Sequence, residues 1–148
     1  MNDFSIVKLQ TEHLADVAKI EALSFAHPWT EEGLMTLIRD GGVGFCAVDN
    51  ESGKVVSYAG MVMAADMGDV TDVATHPDFR RRGLSRQVMI KLLEYAREMR
   101  IASVALDVRV SNSGAIALYK GLGFEIAGKR PRFYRTPPED AYVMVKQL

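Results

Sequence analysis

The run Arg80-Arg81-Arg82-Gly83-Leu84-Ser85-Arg86 gathers four arginines around one glycine, where a strand-like stretch gives way to a helical one. A helix N-terminus carries about +0.5 of an elementary charge and favours acidic neighbours by roughly 0.3–1 kcal/mol each, so guanidinium groups there oppose the helix's own field. Two readings fit. In one, the arginines form a solvated basic turn or pair with surface acids. In the other, an anion such as a phosphate completes the site, bound by free N–H groups of the first helical turn, with Gly83 allowing close backbone approach and arginine side chains around it. Neither Gly-x-x-x-x-Gly-Lys-Ser/Thr nor Gly-x-Gly-x-x-Gly is present, so an anion here is held in some other way. Further chemistry-bearing residues follow. Asp107 lies opposite the apolar side chains of an alternating run, Asn112 stands at a helix start, and Tyr119 sits on the helix itself. His13, His27 and His76 are too widely spaced for a zinc motif, and His27 and His76 read as turn residues. Cys46, inside an apolar run, reads as core rather than nucleophile.

These residues need elements to position them. Residues 5–9 alternate as a short strand, and Thr11 offers a cap to a helix carrying Leu14, Val17, Ala18, Ile20 and Leu23. After a break at His27-Pro28-Trp29, Thr30 caps a second helical run through Leu34, Leu37 and Ile38, which Gly41-Gly42 ends. Residues 43–48, 55–64 and 68–75 read as an antiparallel meander, the first two joined by a polar five-residue link. The pattern then turns helical, with Leu84, Val88, Leu92, Tyr95, Ala96 and Met99 on one stripe. Residues 103–110 alternate again, Val104, Leu106, Val108 and Val110 sharing a face. A short helix opens at Ser111 or Asn112 and closes at Gly121 or Gly123. Strands near residues 124–128 and 141–146 flank a polar, proline-containing loop over 130–140.

With 148 residues and 48% hydrophobic content, the expectation is one domain over residues 1–148. Eighteen basic and nineteen acidic residues leave a formal charge of -1, which points away from nucleic acid or a membrane surface as partner. The lone cysteine suits a reducing compartment. The opening MNDFSIVKLQ lacks the pattern of a secretory signal, and a cytoplasmic protein is expected. Oligomeric state is not encoded in these patterns.

Residues 73–85, Val73-Ala74-Thr75-His76-Pro77-Asp78-Phe79-Arg80-Arg81-Arg82-Gly83-Leu84-Ser85, resemble the signature of the GNAT acetyltransferases, an apolar strand ending in V-x-P-x-x-R/Q-x-x-G-x-G/A. In that family the loop and helix N-terminus hold the pyrophosphate of coenzyme A, and the strand's backbone pairs with the pantetheine arm. The resemblance therefore implies acetyl-CoA contacts at Val73, Ala74, Thr75, Arg80, Arg81, Arg82, Gly83, Leu84, Ser85 and Arg86. Ser85 departs from the usual Gly or Ala, and a slight adjustment is expected rather than loss of binding.

Residues 106–124 run Leu106-Asp107-Val108-Arg109-Val110-Ser111-Asn112 and on through Ala115-Ile116-Ala117-Leu118-Tyr119 to Gly123-Phe124. They are similar to L-E-V-R-x-S-N-x-x-A-I-x-L-Y-x-x-x-G-F of the RimI-type ribosomal-protein-alanine N-acetyltransferases. His27-Pro28-Trp29-Thr30, Arg132-Phe133-Tyr134 and the run from Glu139 to Met144 add to the likeness. It implies an α/β GNAT fold, a mixed, mostly antiparallel sheet with helices on both faces. Acetyl-CoA would enter where the strands ending near Thr75 and starting near Ser103 separate, and no metal is implied. Tyr119 matches the family's proton donor to the departing thiolate, against the plain reading of a packed tyrosine. Asn112 matches a cofactor contact and is also a helix cap. Asp107 stands where the family has its glutamate base. One methylene shorter, it favours relay through water; the plain reading is a structural carboxylate paired with Arg109. Trp29 and Tyr134 would wall an acceptor channel, or are half-buried aromatics.

The acceptor so implied is a protein or peptide N-terminus, the alanine of a small-subunit ribosomal protein. An α-amine of pKa about 7.7–8.0 is already partly neutral near pH 7.4, so a weak or relayed base suits it better than a lysine amine near 10.4. A small amine, polyamine, aminoglycoside or lysine side chain remains an alternative acceptor, and a non-catalytic acyl-CoA sensor remains an alternative to turnover.

Overall fold

Alternating side chains along the strands leave apolar groups on both faces of the sheet, and helices cover each. The computed structural model describes residues 3–148; the first two residues of the polar opening lie outside the described part. In chain order the elements are β1 (Phe4–Lys8), α1 (Leu14–Ser24), α2 (Glu31–Leu34), β2 (Gly42–Asp49), β3 (Val55–Ala64), β4 (Met67–Thr75), α3 (Leu84–Glu98), β5 (Ser103–Arg109), α4 (Ser113–Gly121), β6 (Glu125–Arg135) and β7 (Pro138–Gln147). They form a seven-stranded sheet of order β1-β2-β3-β4-β5-β7-β6. Every neighbouring pair is antiparallel except β4 and β5, which are parallel.

The amphipathic helix α3 lays Leu84, Val88, Met89, Leu92, Leu93 and Ala96 on one face, against Val43 and Ala47 of β2 and Val56, Ala59 and Met61 of β3. Each such aliphatic side chain taken out of water contributes about 1.5–3 kcal/mol. Tyr119 of α4 joins this layer. On the other face, Leu14, Val17 and Ile20 of α1 and Leu34 of α2 pack on Cys46, Tyr58 and Ala74.

Several local expectations are revised. Thr11 does not cap; it opens a 3₁₀ turn, where His13 Nδ1 accepts from the Gln10 backbone N–H at 2.9 Å. Thr30 does cap, its hydroxyl accepting from Gly33 N at 3.1 Å, but α2 is a single turn followed by a 3₁₀ turn rather than one longer helix. Leu23 and Met99, placed on apolar stripes by spacing, are exposed; Met99 lies just past the end of α3. The polar loop expected over residues 130–140 is instead a long hairpin of β6 and β7. Ten of the eleven residues of β6 are exposed, so neither face carries the apolar alternation by which a strand is read.

The feature that makes a site is an interruption between β4 and β5. They pair only at Met67 with Ser103, Gly68 with Val104 and Asp69 with Ala105. Immediately beyond, β4 carries an extra residue relative to β3: Gly60 faces Asp72 and Met61 faces Val70, leaving Thr71 as the bulge. A bulge bends its strand and re-aims side chains. Here β4 leaves β5, and a gap opens through the middle of the sheet.

Candidate active site

The gap widens into a cavity of about 640 Å³ lined by Val70 to Val73 of β4, Leu106 to Arg109 of β5 and residues of α1, α4 and β6. Leu106 and Val108 turn to the α3 layer, so Asp107 between them faces the opposite, α1 side. Tyr119 reaches the cavity from the α3 side and is 8% exposed. Burial, with Tyr134 and Asp72 nearby, pushes its phenol up to about 12. Asn112, Val73, Asp107, Tyr119, Trp29 and Tyr134, separately proposed from sequence, line this one cavity.

Several contacts refine the expected roles. Asp107 pairs not with Arg109 but with Arg130, Oδ1 to Nε at 3.1 Å. Arg109 is taken up by the β6–β7 hairpin, donating to Pro137 O and Thr136 O, each at 2.9 Å, and to Glu139 Oε1 at 3.2 Å, while it stacks 4.2 Å from the Tyr134 ring centroid. Glu139 Oε2 in turn accepts from Ser111 N at 2.7 Å, and that bond together with Arg109 holds its carboxyl below the usual range. Asn112 caps α4, its Oδ1 accepting from Ala115 N at 3.1 Å. His27, read as a turn residue, meets Thr136 Oγ1 at 3.3 Å and so bridges the α1–α2 connection to the hairpin. Cys46 is wholly buried, its thiol pushed up to about 12 by desolvation, with Asp16 and Glu12 adding.

Sequence reasoning passed over two carboxyls on the α1 side. Glu21 is 0% exposed, and its Oε1 accepts from the Tyr58 hydroxyl at 2.6 Å. Asp72, on β4 beside the β5 strand that carries Asp107, lines the cavity with it. Burial, followed by hydrogen bonding to Glu21 and that group's charge, pushes Asp72 up to about 9. The available signal was the position of Glu21, one residue after Ile20 and four after Val17 on the core-facing stripe of α1.

The arginine cluster lies at the far end of β4. Gly83 precedes α3 with φ +72°, a left-handed conformation that glycine adopts without strain, and has no side chain with which to cap the helix. A Cβ there would meet nothing within 4 Å, leaving the first turn open to an incoming group. Arg80 Nε donates to Thr75 O at 3.4 Å, and Arg82 stacks on Phe79. Arg80, Arg81, Arg82 and Arg86 form no ion pair among the described residues. Ser85 is more than a tolerated substitution: its Oγ bonds Thr75 Oγ1 at 2.7 Å, which bonds Ser57 Oγ at 2.8 Å, tying the helix start to β4 and β3. An uncapped, positively flanked helix N-terminus and a β4 edge released from β5 fit a phosphate-bearing ligand with an extended amide arm. Among the described residues no group of acids, histidines and cysteines is arranged to hold a metal ion.

Residues 13–124 match the Acetyltransferase (GNAT) family. The chain is 32% identical over 142 residues, 95% of either chain, to a protein of Escherichia coli (strain K12) named ribosomal protein bS18-alanine N-acetyltransferase. The crystal structure of the ribosomal-protein-S18-alanine N-acetyltransferase from Escherichia coli matches with a TM-score of 0.88 and 31% identity, covering 97% of this chain and 93% of that one. The fold is also that of Arabidopsis thaliana NAA60, solved in complex with acetyl-CoA, at a TM-score of 0.86 and 17% identity over 98% of each chain. On these likenesses the chain belongs to the GNAT acetyltransferase family, an acetyl-CoA-dependent N-acetyltransferase.

Proposed function

We propose that this enzyme acetylates the α-amine of a protein N-terminus by direct attack in a ternary complex, its acceptor being the N-terminal alanine of a small-subunit ribosomal protein. The observation that carries the acceptor is the 32% identity, spread over 95% of the chain, to the Escherichia coli bS18-alanine N-acetyltransferase. The cavity supports it chemically. Three carboxyls line it, Asp107 matched by Arg130 and the adjoining Glu21 and Asp72, so the cleft lacks the spaced string of free carboxylates that a polyamine would demand.

Arg80, Arg81, Arg82, Arg86 and the N–H groups of Gly83, Leu84 and Ser85 are assigned to the pyrophosphate, and the backbone of Val73, Ala74 and Thr75 to the pantetheine amides. Asn112, whose Oδ1 caps α4, is assigned a further contact to the donor through its remaining amide group. Acetyl-CoA supplies a thioester-activated acetyl group. Tyr119 stays a phenol throughout the working pH range and donates its hydrogen bond toward the departing sulfur. Asp107, with one oxygen engaged by Arg130, takes the amine's proton through a water on its other oxygen. Trp29 and Tyr134 flank the peptide.

The test is steady-state thiol release with an alanine-starting ribosomal peptide, run beside the same sequence N-terminally blocked but carrying lysine, and beside spermidine. The reading predicts a kcat/KM for the free α-amine at least 100-fold above the others. Equal or better turnover of lysine or spermidine contradicts it.

A further inference from the structure

We propose that Glu21 and Asp72 together form a one-charge anionic seat that binds the protonated α-amine of the acceptor on the α1 side of the cavity. The inference rests on the reading that the acceptor presents an α-amine.

Glu21 comes from the core-facing stripe of α1 and is fully buried, yet it makes no ion pair among the described residues. The Tyr58 hydroxyl donates to its Oε1, and Oε2 meets no donor among them other than the Asp72 carboxyl. Two further buried oxygens without a partner, Ser24 Oγ and Thr71 Oγ1, line the same cavity as Glu21 and Asp72. An anion taken out of water is costly unless a cation or several donors meet it. The one other carboxyl that lines the cavity, Asp107, is matched by Arg130. Among the carboxyls lining the cavity, Glu21 and Asp72 alone form no ion pair with a described cationic side chain.

Two adjoining carboxyls in a desolvated place do not both ionise. With Asp72 raised to about 9, the pair keeps one proton and a single negative charge at neutral pH, and that proton meets one of the lone pairs left on Glu21. Tyr58 from β3, Tyr119 from α4, Tyr134 from β6 and Asp107 from β5 bring no positive charge; the basic side chains lining the cavity are Arg109, held by the hairpin, His27, which meets Thr136, and Arg135, and none of them forms an ion pair with Glu21 or Asp72. An α-amine is mostly ammonium at pH 7. It is the cation that the reaction itself delivers to this cavity, with N–H donors for the carboxyl pair and for Thr71 Oγ1 and Ser24 Oγ. The seat lies on the Asp107 side of the sheet, opposite Tyr119, which sets the amine and the departing sulfur on opposite sides of the gap.

Calorimetry on the CoA-loaded enzyme tests this, comparing the alanine peptide with its des-amino analogue, in which the N-terminal residue is a propionyl group. Wild type is expected to bind the amino peptide at least 10-fold more tightly. Asp72→Asn, which keeps a donor to Glu21 and the single charge, retains that preference. In Glu21→Gln/Asp72→Asn, which keeps the shapes and removes the charge, the preference falls below 3-fold while CoA affinity stays within 2-fold of wild type. A preference that persists undiminished in the double variant, or is missing from wild type, overturns the seat. Thiol release by wild type with the same peptide reports separately on the acceptor: a peptide bound with the expected preference but never acetylated contradicts the acceptor reading and leaves the seat supported.

Discussion

At the scale of single residues, the site is a set of groups whose surroundings fix their protonation. Tyr119 is a phenol pushed to about 12, so its donor form persists well above the ordinary tyrosine value. Tyr119→Phe should lower kcat by about 10²-fold, as for loss of a general acid, and leave the Kd for acetyl-CoA within 2-fold. In wild type, kcat should show no loss between pH 8.5 and 10.5; a fall near pH 10 would mean an unburied phenol. Asp72 is raised from 3.8 to about 9 in the folded state. Between those values the unfolded chain has released a proton that the folded chain retains, so the stabilisation tied to that proton is full below about pH 4 and declines as pH rises to about 9. Asp72→Asn removes the decline, and its Tm should therefore gain on wild type steadily from pH 5 to 9 in a thermal melt series. A constant Tm difference would contradict the assignment.

At the scale of elements, two devices position these groups: the bulge in β4 and the hydroxyl chain beneath α3. A Cβ on Gly60, opposite the bulge, would come within 2.5 Å of Leu37 Cδ1 and 3.0 Å of Thr71 Oγ1. Leu37 is core and has little room to yield, so Gly60→Ala should cost about 1–3 kcal/mol in denaturant unfolding. Ser85→Ala removes one bond from Thr75 Oγ1 and should cost about 1 kcal/mol, with a raised KM for acetyl-CoA as the helix start loosens. Much of this level could be read from the sequence. The stripe on α3, the alternation of β5 and the break at Gly83 each carry a strong local period or a glycine signal, and these elements stand where the pattern puts them. The bulge is invisible to such reading because Val70-Thr71-Asp72-Val73 scans as uninterrupted strand; only pairing with β3 shows one residue too many. The two last strands are legible, but their continuation through residues 130–140 is not, because β6 buries almost nothing and the order of its tip comes from long-range bonds to Arg109 and from Arg132 N to Asp140 Oδ1. Glu21 and Asp72 escaped because a lone acid in a helix or strand carries no partner in its own neighbourhood; α1 and β4 bring them together across about fifty residues of chain.

At the scale of the whole molecule, the sheet is a septum with a slot. Helix α3 and the arginines serve one end of β4; α1, the His27 turn and the hairpin enclose the α1 side of the gap. Arg109 couples the hairpin to β5 through two backbone carbonyls, Glu139 and the Tyr134 ring. Arg109→Ala should therefore raise the acceptor's KM by about 10-fold, as expected when a charged hydrogen-bonded group is lost, and speed amide exchange over residues 133–137, with the KM for acetyl-CoA unchanged. The central claim is that donor and acceptor occupy this slot together, one from each end. It is tested most directly by measuring the affinity of a conjugate in which the alanine peptide's α-nitrogen is joined through an acetyl bridge to the sulfur of CoA. If both halves fit at once, the conjugate binds at least 100-fold more tightly than CoA alone, because the second half docks without a second loss of translational freedom. A conjugate that binds no better than CoA would contradict it.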